Sequence, residues 1–483
     1  MRPNRRLTLD TSLNLHYFYE ISKIPRPSFH EERIADYVEQ FAKDRNLWYT
    51  RDFLHNIIIK KPGSPGREAE PPLILQAHMD MVCAKSPESR HDFLKDPIHV
   101  LETEGWLHGD GTTLGADDGA GVANILTLLD EKDLSHPPLE CILTVQEEDG
   151  MGGAKGIDLS PIQGKRMIGL DGNYEGTTIY TAAAVNACQC RLQAATTPTD
   201  GICCELTVSG LTSGHGAMMI GAQRANAIKV VARLLDKLME QVPHMRLCSL
   251  YGGGLIHVIP RECTAGVISA LPASKLQELL QPEIQQIIQE HAATDPEMKI
   301  SLSAIDHSQR MAVTSADTKR FLTFLHLLPV GATNRNPENL EQVTASINLS
   351  IVKLMENQLR CDIVCRGNHP VDVMDNRRRV AELGELFGAE CETTMEYAGH
   401  FVPTDSPLIQ LWSRVYQRSS GKPLGLIYIH AGLDAGTIFQ RLGLKDLVVI
   451  MPNTLDVHTI NERMELASFQ RTYNYLKEIL AEA

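Results

Sequence analysis

No run of about 18 or more apolar residues occurs in this 483-residue chain, so no membrane-spanning helix is expected. Its start, MRPNRRLTLDTSLNLHYFYE, is positively charged but has no apolar stretch behind it, so no export signal is expected. There is no Cys-x-x-Cys pair, which removes the usual pattern of a structural zinc site. The 11 cysteines are odd in number and scattered, apart from Cys203-Cys204, and Cys141, Cys361 and Cys365 lie in apolar runs. Reduced core thiols are therefore expected rather than disulfides, with a cytoplasmic address. Basic residues are in the minority, 46 against 60 acidic ones, for a formal charge of −14. That excess argues against nucleic acid and anionic membranes as partners, and it suits an enzyme that binds cations and small substrates. No low-complexity linker interrupts the chain.

Ordinary globular composition, 43% hydrophobic and 22% charged, fills a length that calls for two or three domains. The first ~185 residues alternate helices with strands. Ser28-Phe29-His30-Glu31 reads as a capping box opening a helix with Ile34, Tyr37, Val38 and Phe41 on one face. Strands are expected at 56–60, 72–77, 139–145 and 167–170, with a helix over 121–129. This alternation implies an α/β sheet covered on both faces. From about 203 to 397 the order changes to strands flanking long helices (225–242, 273–292, then 318–327 and 377–387). It reads as two βαββαβ-type units in succession, the stretch 257–269 being taken as one strand. Strands at 424–428 and 447–451 and a closing amphipathic helix then restore the α/β pattern. An insert within a split α/β domain is the economical arrangement.

Apolar strands in the outer parts run into polar clusters. Leu73–Ala77 ends in His78-Met79-Asp80, where an imidazole at the carboxyl edge of a sheet can bind metal and Asp80 can accept its other ring N–H. The stretch 111–121, Gly-Thr-Thr-Leu-Gly-Ala-Asp-Asp-Gly-Ala-Gly, lacks the Gly-Lys-Ser/Thr of a phosphate loop and the terminal Glu of a calcium loop. Asp117, leading into a helix, can instead bridge two cations, which would relieve the repulsion of adjacent acids. A strand ending at Val145 leads to Glu147-Glu148-Asp149. Neighbouring side chains diverge there, so one Glu can bind metal while the other handles a proton. Asp171 and His458 each follow an apolar strand. Two His and three carboxylates suit a Zn²⁺ pair, with Co²⁺ or Mn²⁺ as substitutes.

Ile24-Pro25-Arg26-Pro27-Ser28, QAHMDMV (76–82), GTTLGADDG (111–119), EEDGM (147–151) and HAGLDAG (430–436) resemble the aminoacyl-histidine dipeptidases. These PepD or Xaa-His dipeptidases belong to the zinc metallopeptidase family shared with carboxypeptidase G and aminoacylases. The resemblance covers essentially the whole chain. It implies an α/β fold: a split catalytic domain with a mixed sheet flanked by helices (1–186 and 398–483) and an inserted α+β lid domain of two βαββαβ-type units (187–397). It implies two divalent ions per chain, Zn²⁺ first, held by His78, Asp117 as bridge, Glu148, Asp171 and His458. Glu147 becomes the general base and Asp80 the residue that orients His78. His215 is implied as a donor to the substrate carbonyl, Arg366 as a carboxylate clamp, and His430 and Asp434 as pocket residues. Small dipeptides, Xaa-His among them, are the implied substrates, and a homodimer is left open, as is whether His215 acts within its own chain. Three departures concern specificity: His257 where the family usually has Asn, Gly-Ala-Met-Met after His215, and His-Thr-Ile-Asn-Glu for the commoner His-Ser-Pro-Asp-Glu. The alternative readings are an N-acyl amino-acid amidohydrolase or tripeptidase, and a non-catalytic binding protein on the same scaffold.

Overall fold

A computed structural model describes residues 12–307 and 309–483. The basic segment 1–11, where no export signal is expected, lies outside the described residues. The chain divides into two compact units. One comprises residues up to Ala182, His400–Tyr428 and Gly432–Ala483; the other comprises Ala183–Gly399 and Ile429–Ala431. No helix among the described residues is long and apolar enough to cross a membrane.

The first unit is built on a six-stranded mixed sheet. Trp48–Arg51 and Ile57–Lys61 form its antiparallel edge, followed by Leu139–Thr144, Leu73–His78, Arg166–Gly169 and Asp446–Val449, all mutually parallel. The Leu73 and Leu139 strands are buried at every position, which is why they read as continuous apolar runs. Helix Ala116–Asp130 is apolar nearly all round and buried over most of its length, as a helix covered on both sides must be. The parallel strands share one direction, so their carboxyl ends, and the loops carrying His78, Glu147 and Asp171, emerge at one edge. A small four-stranded sheet pairs Thr454–Leu455 with Arg463–Glu465, then Trp106–Gly109 and Val100–Thr103. It ties the His458 loop to the strand that leads into Gly111–Asp117.

In the second unit an antiparallel sheet runs in the order 299–307, 202–209, 263–269, 246–252, 339–355, 358–367, 184–193 and 389–397, with 331–336 paired onto 339–355. Both βαββαβ arrays are present within it. The first strand of the second array, Ala184–Gln193, precedes the first array in the chain, so the two interleave. The stretch 257–269 is two strands, Val258–Ile259 and Cys263–Ser269, in different sheets, because Pro260 and its neighbours break the ladder.

Two further expectations are corrected. Cys190 and Cys391 form a disulfide, whereas only reduced thiols were expected. They are directly opposed on neighbouring antiparallel strands, with Cα atoms 4.1 Å apart, a proximity created by strand pairing and invisible in spacing along the chain. The Ser28–Glu31 capping box does not form either. Helix Glu32–Asp44 has Glu31 at its cap with no side-chain capping bond. Ser28 and Glu31 turn instead to the loops at the sheet edge.

Candidate metal centre

His78 is the last residue of its strand and 1% exposed, since the parallel neighbours on both sides cover it. Its Nδ1 lies 3.4 Å from Asp80 Oδ1 and its Nε2 lies 3.2 Å from Asp117 Oδ1. Nδ1 thus faces Asp80, and Nε2 faces Asp117. Asp80 is itself held by three donors. Ser28 Oγ donates at 2.8 Å to Oδ2, and the main-chain N–H groups of Glu147 and Glu148 donate at 3.1 Å and 3.2 Å. The carboxylate facing His78 Nδ1 therefore also positions the loop bearing both glutamates. Glu31 Oε1 accepts from the Gln146 amide at 2.9 Å and steadies the same loop.

Asp117 and Asp118, joined by a cis peptide, take opposite roles. Asp118 faces inward and accepts from the His78 and Gly121 amides, while Asp117 faces the imidazoles. His458, with φ +64°, turns its ring so that Nε2 lies 3.2 Å from Asp117 Oδ2 and 3.0 Å from Glu148 Oε2. Ligand atoms of His78, Asp117 and Glu148 all lie within 4.8 Å of one another. Asp171 is buried two residues past its strand.

The electrostatics of this cluster call for positive charge. Burial raises the carboxyls of Glu147, Glu148 and Asp171, and each is raised further by acids of the cluster: Asp171, Asp434 and Glu148 act on Glu147, Asp117 acts on Glu148, and Asp117 and Glu148 act on Asp171. Asp434 is pushed up to about 7, again mainly by burial. Burial would lower His458, yet its bonds to Asp117 and Glu148 outweigh this and push it up to about 11. His78 is likewise held well above its ordinary value by Asp117 and Asp80 against burial. Positive charge placed among these acids would relieve their mutual repulsion. Glu148 Oε1 is also buried without a hydrogen-bond partner. The N/O donor set, the orphaned carboxylate oxygen and the uncompensated acids all fit a divalent-metal site.

The residues expected to meet substrate fall in two groups. Asp434 is fully buried in the first unit, at the start of helix Asp434–Arg441. His215, Arg366 and His430 belong to the second unit. Arg366 is 2% exposed, its Nη2 lying 3.2 Å from His257 Nδ1 and its Nη1 3.4 Å from the Tyr397 hydroxyl. Burial and Arg366 together lower His257 to about 4, so its ring is neutral and accepts from the guanidinium. The His215 and His257 rings are 6.3 Å apart. His430 sits between Ser346 Oγ at 2.7 Å and Asn368 Oδ1 at 2.9 Å. Sequence reasoning gives Ser28 and Glu31 only a helix-capping role and assigns none to Arg26 or Glu462. The Arg-Pro-Ser run and the Glu closing His-Thr-Ile-Asn-Glu are the only local signals for them.

A peptidase is the class of protein that this fold and cluster define. The chain belongs to the peptidase family M20/M25/M40, whose model matches residues 74–482, and it is a hydrolase acting on peptide bonds. It is 32% identical over 476 residues to the cytosol non-specific dipeptidase of Escherichia coli K12, with 96% of each chain covered. The solved aminoacylhistidine dipeptidase from Vibrio alginolyticus matches with a TM-score of 0.86 at 29% identity, over 98% of this chain and 97% of that one. Aminopeptidase PepT from Bacillus cereus, at 16% identity over 97% and 98% with a TM-score of 0.55, shares the fold. The resemblance read from the sequence is borne out.

Proposed function

We propose that this protein is a metal-dependent dipeptidase whose site is formed by His78, Asp117, Glu148, Asp171 and His458, with Glu147 as general base. The observation that carries this reading is the convergence of His78, Asp117 and Glu148 ligand atoms within 4.8 Å, with His458 touching two of them. Two divalent ions, zinc being the best fit to two His and three carboxylates, would supply an acidified water and an electrophile for the peptide carbonyl.

The chain's own residues do the rest. Asp80 keeps His78 in the tautomer that frees Nε2. Glu147, with its carboxyl raised by burial and neighbouring acids, removes the proton of the attacking water and returns it to the departing amine. His215 serves as donor to the carbonyl oxygen, and Arg366 pairs with the substrate carboxylate through its planar fork. His430 and Asp434 are each assigned to substrate binding. The names of the E. coli and Vibrio relatives favour small dipeptides, Xaa-His among them, as substrates, and the first of those names favours a cytosolic setting.

The deciding experiment compares a dipeptide panel with N-acetyl amino acids and tripeptides, using protein loaded with Zn²⁺, Co²⁺ or Mn²⁺. Hydrolysis of dipeptides well above the other two classes is expected. Preference for N-acetyl amino acids or tripeptides would replace this reading with that of an amidohydrolase or tripeptidase.

A further inference from the structure

Two buried charged residues outside the ligand set, Arg26 and Glu462, grip the loops that carry it. Glu462 is 2% exposed and accepts from four consecutive main-chain amides. Its Oε2 takes Leu114 at 2.8 Å and Gly115 at 2.9 Å, and its Oε1 takes Ala116 at 2.8 Å and Asp117 at 3.4 Å. Arg26, also 2% exposed, works from the opposite polarity of the same backbone. Its Nη2 donates to the Gly115 carbonyl at 2.5 Å, while Nη1 donates to the carbonyls of Met79 and Asp80, each at 2.9 Å. One guanidinium thus ties the segment leading to Asp117 to the segment just past His78.

The glycines of 111–119 acquire a physical reason from this contact. Gly115 has φ +71°, and a β-carbon there would lie 2.6 Å from Arg26 Nη2; at Gly119 the distance would be 2.7 Å. Both must be glycine for the guanidinium to reach the carbonyl. Four amides converging on one carboxylate leave residues 114–117 a single direction in which to present Asp117. Glu462 also lies in the same loop as His458, so the segment that supplies one imidazole also shapes the backbone under its carboxylate partner.

We propose that Arg26 and Glu462 are positioning residues that hold Asp117 in its metal-bridging place before any ion arrives. The proposal rests on the metal reading of the cluster, but its test needs no peptide, so failure of the dipeptidase reading shows separately. Hydrogen–deuterium exchange, read by mass spectrometry on the segment containing residues 114–117, is compared for the wild-type chain without metal and with Zn²⁺. Protection in metal-free protein within about threefold of the Zn²⁺-loaded level is expected. Free exchange without metal, with protection appearing only on Zn²⁺ addition, overturns the proposal.

Glu462→Gln replaces an acceptor by an amide whose N–H₂ faces two backbone donors, and Arg26→Lys removes the fork that spans both loops. Each is expected to weaken Zn²⁺ binding 10- to 100-fold per folded molecule, measured by chelator competition. A melting temperature lowered with Zn²⁺ affinity unchanged would mark a merely structural role and overturn the assignment. If either variant fails to fold, the wild-type exchange comparison decides.

Discussion

His458 Nε2 stands 3.2 Å from Asp117 Oδ2, joining the last part of the chain to the start of helix Ala116–Asp130. Replacing His458 by Ala removes an imidazole that touches both Asp117 and Glu148. The expected outcome is loss of one bound ion in elemental analysis and a fall in kcat of about two orders of magnitude or more. Full metal content with unchanged turnover would remove His458 from the ligand set.

Glu147→Gln keeps shape and removes the proposed proton acceptor. Turnover is expected to fall by about 10²- to 10⁴-fold while both ions remain bound. Metal analysis and steady-state rates on the same preparation check this, and an unchanged rate would remove Glu147 as the base.

Arg366 is buried against His257 and Tyr397 in a geometry that a point charge cannot reproduce. Arg366→Lys is expected to raise KM for dipeptides about 10- to 100-fold with a smaller change in kcat. Equal KM values would take Arg366 out of substrate binding.

Acid should destabilise the fold in a defined window. Burial lowers His400 to about 4, its Nε2 lying 3.1 Å from the Ile179 carbonyl oxygen, whereas an unfolded His titrates near 6.5. The unfolded chain therefore binds more protons between these values. Stability from this group is complete above about pH 6.5 and is lost as pH falls towards 4, by on the order of 3 kcal/mol. Melting temperatures from pH 4 to 7 test it, and His400→Gln should flatten the slope. An identical slope in the variant would show that other groups govern the acid limb.

Much of the first unit was legible along the chain because its parallel strands are buried on both faces. They read as apolar runs, and the polar residues at or just past their ends, His78, Glu147, Glu148 and Asp171, stand out by contrast. The second unit was legible as arrays of helices and strands. The role of Ala184–Gln193 was not, because a strand's neighbours are chosen by register across the sheet and not by order in the chain. For the same reason the Cys190–Cys391 disulfide escaped a reading based on spacing.

By itself the sequence determined the chemistry of this protein: which side chains could hold metal, which carboxylate could take a proton, and which family the motifs resemble. Those properties reside in residue types and in short segments whose local conformation is set by their own apolar runs and glycines. Only the tertiary structure decided what holds those groups in place. Ser28 and Glu31 satisfy a capping box on paper, yet they bond to Asp80 and to the Gln146 amide, because partners across the fold displace the local alternative. Arg26 and Glu462 are ordinary charges in the sequence, and they became the clamp on Asp117 only once burial left a row of amides and carbonyls that needed partners.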